Sequence, residues 1–562
     1  MRELLPECRA QDDALRRAGL EIWLGAEPTF TVRTSQEPEW LWRAEGGDKL
    51  ERAEALLRAL VARLASSASL VRAEGRTFPG EERPRFGLGA RYQPGRQGEP
   101  PRTLDTGGLS AEPVPAPPLA PGERWVTVTP DPGVVEVNLA PAPDLVSFAH
   151  HAEAVYAAAE EAGLSPVRYR WNGHATDSGG GGQLTLGGPS PEESPFFRRP
   201  QLLPSLVRYL NHHPALSYAF APDCVGSAGQ GPRPDEGVRE LFEELGVALD
   251  RLAGRPQLGP EELWSSLAPL LVDASGNSHR AEINVEKLWN PHLPGRGRMG
   301  VVEFRALRMP PSPQRLVALG ALFRAVAARL AREAYEEPLV DWGPELHDRA
   351  SLPFYLEQDL LEVLEDLEHH GLGLGGRTKV TLLAPAPETA RVELAGATLA
   401  IRPAADFWPL VGDVASQERS MARIVDASSE RVELLVTAPG QPPGRIAAQG
   451  IEVPLEPGGG ATHLAAVRYR AFAPRPGLHP GLGPHDPLVL EWERRGEALR
   501  IELHGWKPGG GGYEGLPADP AEAELRRRER VVVRPGRSRP ARRAPSGRLT
   551  LDLRRLPTVL PT

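Results

Sequence analysis

The chain has 562 residues, 40% apolar and 25% charged, the balance of an ordinary soluble protein of about two to four domains, which excludes disorder of the whole chain. A net charge of −9 argues against nucleic acid as a partner, and two cysteines, Cys8 and Cys224, exclude a disulfide scaffold or a multi-cysteine zinc site. Residues 1–6 hold no apolar leader and no apolar run approaches the roughly 18 residues of a membrane span, so a cytoplasmic protein away from membranes is expected.

Residues 11–25 predict a short helix running into an apolar strand, Leu20-Glu-Ile-Trp-Leu-Gly25. Apolar positions recur at helical spacing over 48–73, which predicts one long helix. Residues 93–123 are rich in proline and glycine and predict an extended loop. A strand over 133–139 and a helix over 144–163 follow, then the glycine run 179–182 leading into Gln183-Leu-Thr-Leu. Helices are predicted near 200–213 and 236–253, strands over 281–287 and 299–305, and a closing helix over 313–334. Beyond a helical connector at 351–370 the texture changes. Short runs such as Val380-Thr-Leu-Leu, Arg431-Val-Glu-Leu-Leu-Val436 and Leu488-Val-Leu-Glu-Trp492, broken by proline and glycine, predict a β-sandwich-like domain. The arginine-dense stretch 525–555 reads as a mobile tail.

Side chains of a strand alternate between two faces, and this places the acids. On 133–139, Glu136 and Asn138 share one face, opposite Val135 and Val137. On 299–305, Glu303 and Arg305 face together, opposite Val302 and Phe304; on 281–287, Glu282, Asn284 and Glu286 lie opposite Ile283 and Val285. Glu27 follows the first strand. A sheet face carrying several carboxylates suits a hard cation such as Mg²⁺, which takes oxygen ligands. The same pattern also fits the solvated face of an antiparallel sheet. Glycines 179–182, among them Gly180 and Gly181, could bring backbone N–H groups close to phosphates, or simply turn the chain. His174 and Cys224 are single candidates; Cys224 needs an adjacent histidine to serve as a nucleophile, and a buried thiol is the plainer reading. The chain has four lysines (Lys49, Lys287, Lys379, Lys507), none in a P-loop frame, and it lacks H-E-x-x-H and G-x-S-x-G.

Gly25-Ala-Glu-Pro-Thr-Phe30, Pro130-Asp-Pro-Gly-Val-Val-Glu-Val-Asn138, Leu186-Gly-Gly-Pro-Ser-Pro-Glu-Glu-Ser-Pro-Phe-Phe-Arg-Arg-Pro200 and Val301-Val-Glu-Phe-Arg-Ala-Leu-Arg-Met-Pro310 resemble an uncharacterised bacterial family of amidoligases, often fused behind a transglutaminase-like domain. The similarity runs from about residue 18 to 535 and includes Val467-Arg-Tyr-Arg-Ala471 and Leu478-His-Pro480; this chain is similar to the freestanding form. The resemblance implies the carboxylate–amine ligase fold of glutamine synthetase and glutamate–cysteine ligase: α+β, a curved antiparallel sheet backed by helices, with a C-terminal all-β sandwich-like domain. It implies the division 1–335 ligase domain, 336–374 helical connector, 375–524 β-rich domain and 525–562 tail.

By the same resemblance Glu27, Glu136, Glu303 and Glu282 hold two or more Mg²⁺ ions, with Thr29 where the synthetase has a second glutamate. Gly180, Gly181, Gln183 and His174 match the glycine-rich segment near the nucleotide, with Gln183 in the place of a histidine. Arg305 would meet the transferred phosphoryl group and Arg233 the substrate. The implied reaction is ATP-dependent amide or peptide bond formation through an acyl phosphate. Implied partners are carboxylate and amine substrates (amino acid or peptide) and a transglutaminase-like or ATP-grasp protein encoded nearby. The departures at Gly182 and Gln183 leave open a catalytically reduced relative that binds partners through its β-rich domain, and Cys224 a weaker hydrolase or transferase reading.

Overall fold

Residues that alternate apolar and polar in sequence become neighbouring strands in the computed structural model of the chain, which describes residues 1–33, 40, 47–74, 86–113, 119–255, 257–291, 297–385, 387–411, 424–472, 482–543 and 547–555. Leu478-His-Pro480 and the end of the tail at 556–562 lie outside the described residues. The first half contributes β1 (Trp23–Phe30), β2 (Ala65–Glu74), β3 (Phe86–Pro94), β4 (Ser110–Pro113), β5 (Arg124–Asp131) and β6 (Val134–Leu139). After these come the hairpin β7 (Val167–Tyr169) and β8 (Ala175–Asp177), then β9 (Gly182–Gly187), β10 (Cys224–Val225), β11 (Ile283–Asn284) and β12 (Val302–Phe304). Nine of them form one sheet in the order β11-β12-β9-β1-β6-β5-β3-β2-β4, antiparallel except for the parallel pair β2–β4.

One face of this sheet is apolar and is covered by helices. Leu24, Leu184, Leu186, Val302 and Phe304 pack in a core with Phe148 of the helix Leu145–Glu161 and with Leu319, Leu322 and Phe323 of the helix Pro313–Arg332. Phe30, Val126, Val128, Val135 and Val137 pack with Leu56, Leu57 and Leu60 of the helix Gly47–Leu64. Two of these helices start on a side-chain cap. Asp144 accepts from Ser147 N at 2.7 Å, and Ser312 accepts from Arg315 N at 3.2 Å just before Pro313. The fold is the expected mixed α+β with antiparallel sheets.

The β-rich half is two sheets around one core. Strands Ala390–Leu394, Ala397–Ala404, Ser429–Thr437, Thr462–Arg470 and Glu456–Gly459 are consecutive neighbours in the first, and Thr550–Asp552 joins it beside Thr462–Arg470. The second runs Ile451–Glu452, Arg445–Ala448, Leu488–Arg494, Glu497–Leu503 and Val531–Pro535. Leu399, Leu434, Leu464, Leu490, Trp492 and Ile501 fill the space they share.

Several sequence expectations are corrected, each by a contact distant in sequence. The helix expected over 48–73 ends at Leu64, because Ala65–Glu74 pairs with β3 along its length. Val380-Thr-Leu-Leu belongs largely to a helix, Gly376–Leu382, rather than a strand: the Glu7 carboxylate caps it from the far end of the chain, accepting from Arg377 N and Thr378 N at 2.9 Å each. The arginine-dense stretch is ordered over most of its length. The helix Pro520–Glu529 places Arg526 on the carbonyl of Trp171 at 2.7 Å and Arg527 on that of Gly173 at 2.6 Å, and two strands follow it into the two sheets. Strands 281–287 and 299–305 shorten to β11 and β12, since the chain turns out of the sheet at Val285, where Leu288 N bonds back to Val285 O at 3.0 Å.

Candidate active site

The register decides which polar side chains meet. Glu27 on β1 lies opposite Gln183 on β9, Thr185 lies opposite both Gly25 and Glu303, and Thr29 lies opposite Glu136 on β6. Directly opposed residues share a face, so Glu27, Glu136, Gln183 and Glu303 all project from the side of the sheet away from the helices. Alternation set Glu136 and Glu303 opposite the apolar residues of their strands, and the register adds Glu27 to that face.

Two cations join two of these three carboxylates. Lys287 ion-pairs with Glu27 and lies 2.8 Å from the Glu303 carboxylate, and Arg305 ion-pairs with the other oxygen of Glu303. Glu136 has no cation within ion-pair distance among the described residues; its oxygen accepts from the Asn138 amide at 2.8 Å. Burial, then the Glu27 charge, pushes the Glu136 carboxyl up to about 7. Burial and the Glu303 charge likewise raise Glu27, against the pull of Lys287. Burial works to raise Glu303 too, yet Lys287 and Arg305 together hold it below the ordinary carboxylate value. The face is thus crowded with negative charge that its own cations offset only in part.

Two polar atoms on this face are buried and have no hydrogen-bond partner among the described residues: the Gln183 carbonyl oxygen and Arg305 Nε. An oxygen without a donor, beside three carboxylates of which two are raised, is an oxygen-rich donor set of the kind a hard divalent cation takes. Lys287 is the residue the sequence missed. Strand alternation puts it with Ile283 and Val285 on the apolar side, and only the turn after Asn284 swings it to the acids. Its rarity in an arginine-rich chain was the available clue.

The glycine run packs tightly beneath Gln183. Thr29 Oγ1 donates to Gly181 O at 2.6 Å, so Thr29 is committed to the loop. A Cβ on Gly180 would lie 2.8 Å from the Thr29 side chain, and one on Gly181, at φ +83°, 2.5 Å from Gln230 Oε1. Gly179 N bonds Asp177 Oδ1 at 3.1 Å, Gly180 N bonds Ser178 Oγ at 3.5 Å and Gly182 N bonds Leu307 O at 3.2 Å. The run is therefore not an open phosphate cradle; its glycines are needed for close approach, and they hold Gln183, whose amide donates to Gly180 O at 3.0 Å.

The structure gathers Arg233 and Glu282 elsewhere. Arg233 donates to Asp235 at 2.9 and 2.7 Å, to Leu210 O at 3.0 Å, to Asn211 O at 3.1 Å and to Ser217 Oγ at 3.4 Å, and it lies over the Tyr218 ring. Its donors are used, so the expected substrate contact has no N–H left to make it. Glu282 accepts from the Ser217 hydroxyl and stands 3.7 Å from Arg233; burial pushes its carboxyl up to about 8. Asn284 pairs with Glu303, so Glu282 shares that strand face, but its carboxyl is taken up by Ser217 of the helix Ala215–Tyr218 and by Arg233. His174 pairs with Asp223 at 3.0 Å rather than joining Gln183. Cys224 follows Asp223 in β10, and burial and that neighbour push its thiol up to about 11, the reverse of what a nucleophile needs.

Residues 3–100 and 115–554 match the family described as "Putative amidoligase enzyme (DUF2126)", and the chain belongs to that family. No curated protein matches the sequence. Among solved structures, "GmaS/ADP complex-Conformation 1" is 13% identical over 68% of this chain and 72% of that one, with a TM-score of 0.32. "Crystal structure of novel glutamine synthase homolog" is 15% identical over 68% and 69%, with a TM-score of 0.29. "Apo GmaS without ligand" is 14% identical over 67% and 72%, also with a TM-score of 0.29. Among the described residues no helix is long and apolar enough to cross a membrane.

Proposed function

From membership of that amidoligase family, we propose that the protein joins a carboxylate to an amine at the expense of ATP. A carboxylate oxygen attacks the terminal phosphorus, ADP leaves and an acyl phosphate forms. The amine then attacks the acyl carbon, phosphate departs and the nitrogen loses a proton. Phosphoryl transfer of this kind asks the protein for positioning and charge neutralisation. The observation that carries the reading is the register that sets Glu27, Glu136 and Glu303 on one sheet face with Gln183.

Glu27, Glu136 and Glu303, with the Gln183 carbonyl, would hold two or more Mg²⁺ ions, whose chemistry is to neutralise and orient phosphate oxygens. Arg305 keeps Nε unpartnered beside Glu303 and can turn its planar fork to a phosphoryl group. Lys287 is poised to exchange its carboxylate partners for phosphate oxygens. In this division residues 1–335 carry the chemistry, 336–374 connect, and 375–524 with the ordered strands of 525–555 form the β-rich part.

The test is ADP release by the purified full chain from MgATP, against pooled amino acids and peptides, with EDTA as the control. Release that requires Mg²⁺ and one pool supports the ligase. No release from any pool, together with no change in Tm on adding MgATP, overturns it. A second reading rests on Lys287, which already fills the space between Glu27 and Glu303 with a positive charge. A catalytically reduced protein that binds partners would keep Lys287 there permanently. In that case Lys287→Met lowers Tm alike in Mg²⁺ and in EDTA.

A further inference from the structure

The helix-rich and β-rich parts meet around a cavity of about 290 Å³, near the lower edge of small-molecule sites at roughly 300–1,000 Å³. Its walls are unusually basic. The first part contributes Arg170, Arg308 and Arg315; the β-rich part and the segment after it contribute Arg402, Arg431, Arg527 and Arg530. Four carboxylates, Asp223, Glu357, Asp406 and Glu430, stand against these seven. Asp223 is shared by Arg170 at 3.5 Å and Arg308 at 3.6 Å, and Asp406 is paired with Arg468 at 2.7 Å. Arg402 has Glu433, and Arg527 has Glu524.

Arg315, Arg431 and Arg530 have no carboxylate within ion-pair distance among the described residues. Arg431 is 3% exposed, with a partner for each of its terminal nitrogens, Ser351 Oγ at 3.0 Å among them, and none for Nε. Arg530 Nε, also lining the cavity, is buried without a hydrogen-bond partner among the described residues. Buried donors left this way are costly unless something accepts from them. Burial and the Arg308 charge push Arg315 down to about 10, and burial does the same to Arg431. Leu356, Leu360 and Trp408 give the cavity an apolar wall beside these charges.

We propose that this cavity binds a small organic polyanion, with two or more carboxylate or phosphate groups on a short hydrocarbon frame, held by Arg315 and Arg530, with Arg431 contributing its charge and its Nε. Planar guanidinium forks suit either oxyanion. None of Glu27, Glu136, Gln183, Glu303 and Arg305 lines this cavity, although Arg308 on its wall follows Arg305 by three residues. It does not depend on the ligase reading.

The test is calorimetric titration of the metal-free full chain with citrate and, separately, with pyrophosphate. Saturable binding of either is expected, and which of the two binds more tightly identifies carboxylate or phosphate as the anion. Arg315→Gln and Arg530→Gln should each weaken it at least tenfold, while Glu303→Gln leaves it unchanged. Arg308→Gln, at a partly exposed position, serves as a further charge-removing variant should either of the others fold poorly. No binding of either probe, or unchanged binding in every folded arginine variant, overturns the proposal. Binding that disappears with Glu303→Gln assigns the anion to the acid face and overturns it equally.

Discussion

Two buried polar clusters in the helix-rich part are built on opposite rules. Around Arg233, a guanidinium is enclosed by Asp235, two main-chain carbonyls and Ser217, with Tyr218 against it, and each donor has an acceptor. On the sheet face, three carboxylates meet two cations, while a carbonyl oxygen and an Nε have no partner. A closed cluster holds the fold in one arrangement, because any change strands a buried group. An open cluster stores repulsion and unused donors that only a ligand satisfies. The Glu282 carboxyl is taken up by the closed set, whereas Lys287, half-buried, belongs to the open one.

The largest effect should come from breaking the closed cluster. Arg233→Met leaves Asp235 buried without its partner, and a loss of about 3–5 kcal/mol in urea unfolding is expected. A loss below about 1 kcal/mol would mean that the cluster is not the structural element its bonding implies. Next, Glu303→Gln should lower Mg²⁺-dependent ADP release about 100-fold or more, while stability in EDTA falls, because Lys287 and Arg305 lose the carboxylate they share. Equal turnover in variant and wild type would make the acid face ordinary surface.

A subtler contrast is in pH. The Glu136 carboxyl is raised from 4.5 to about 7 in the folded chain. With the folded value the higher one, its contribution to stability is complete below about 4.5 and is lost as pH rises through about 7. In EDTA, the wild-type urea midpoint should therefore fall between about pH 5 and 8 relative to that of Glu136→Gln. Parallel midpoints across that range would show that Glu136 is not held protonated. Smallest is Gln183: Gln183→Ala removes the unpartnered oxygen and should weaken the Mg²⁺ requirement curve about tenfold. Gln183→His should keep turnover, since an imidazole nitrogen can ligate as well. Identical curves in all three proteins would detach the glycine loop from the site.

What the sequence determined is what a short repeat can encode. A strand's side chains alternate with period two, so Glu136 opposite Val135 and Val137, and Glu303 opposite Val302 and Phe304, were legible before any strand was paired. Helices with an apolar stripe and a local cap, such as Leu145–Glu161 behind Asp144 and Pro313–Arg332 behind Ser312, were legible for the same reason. The family motifs added Glu27 and Gln183, which alternation alone could not tie to the others. Only the tertiary structure decided the rest. Lys287 leaves the strand pattern at a turn, Glu7 caps a helix some 370 residues away, and β2 ends a helix by pairing with β3. Arg233 looked like any loop arginine until the fold closed five acceptors around it. Each of these depends on a partner far along the chain, and the free energy of such a contact is set by which groups the fold buries together.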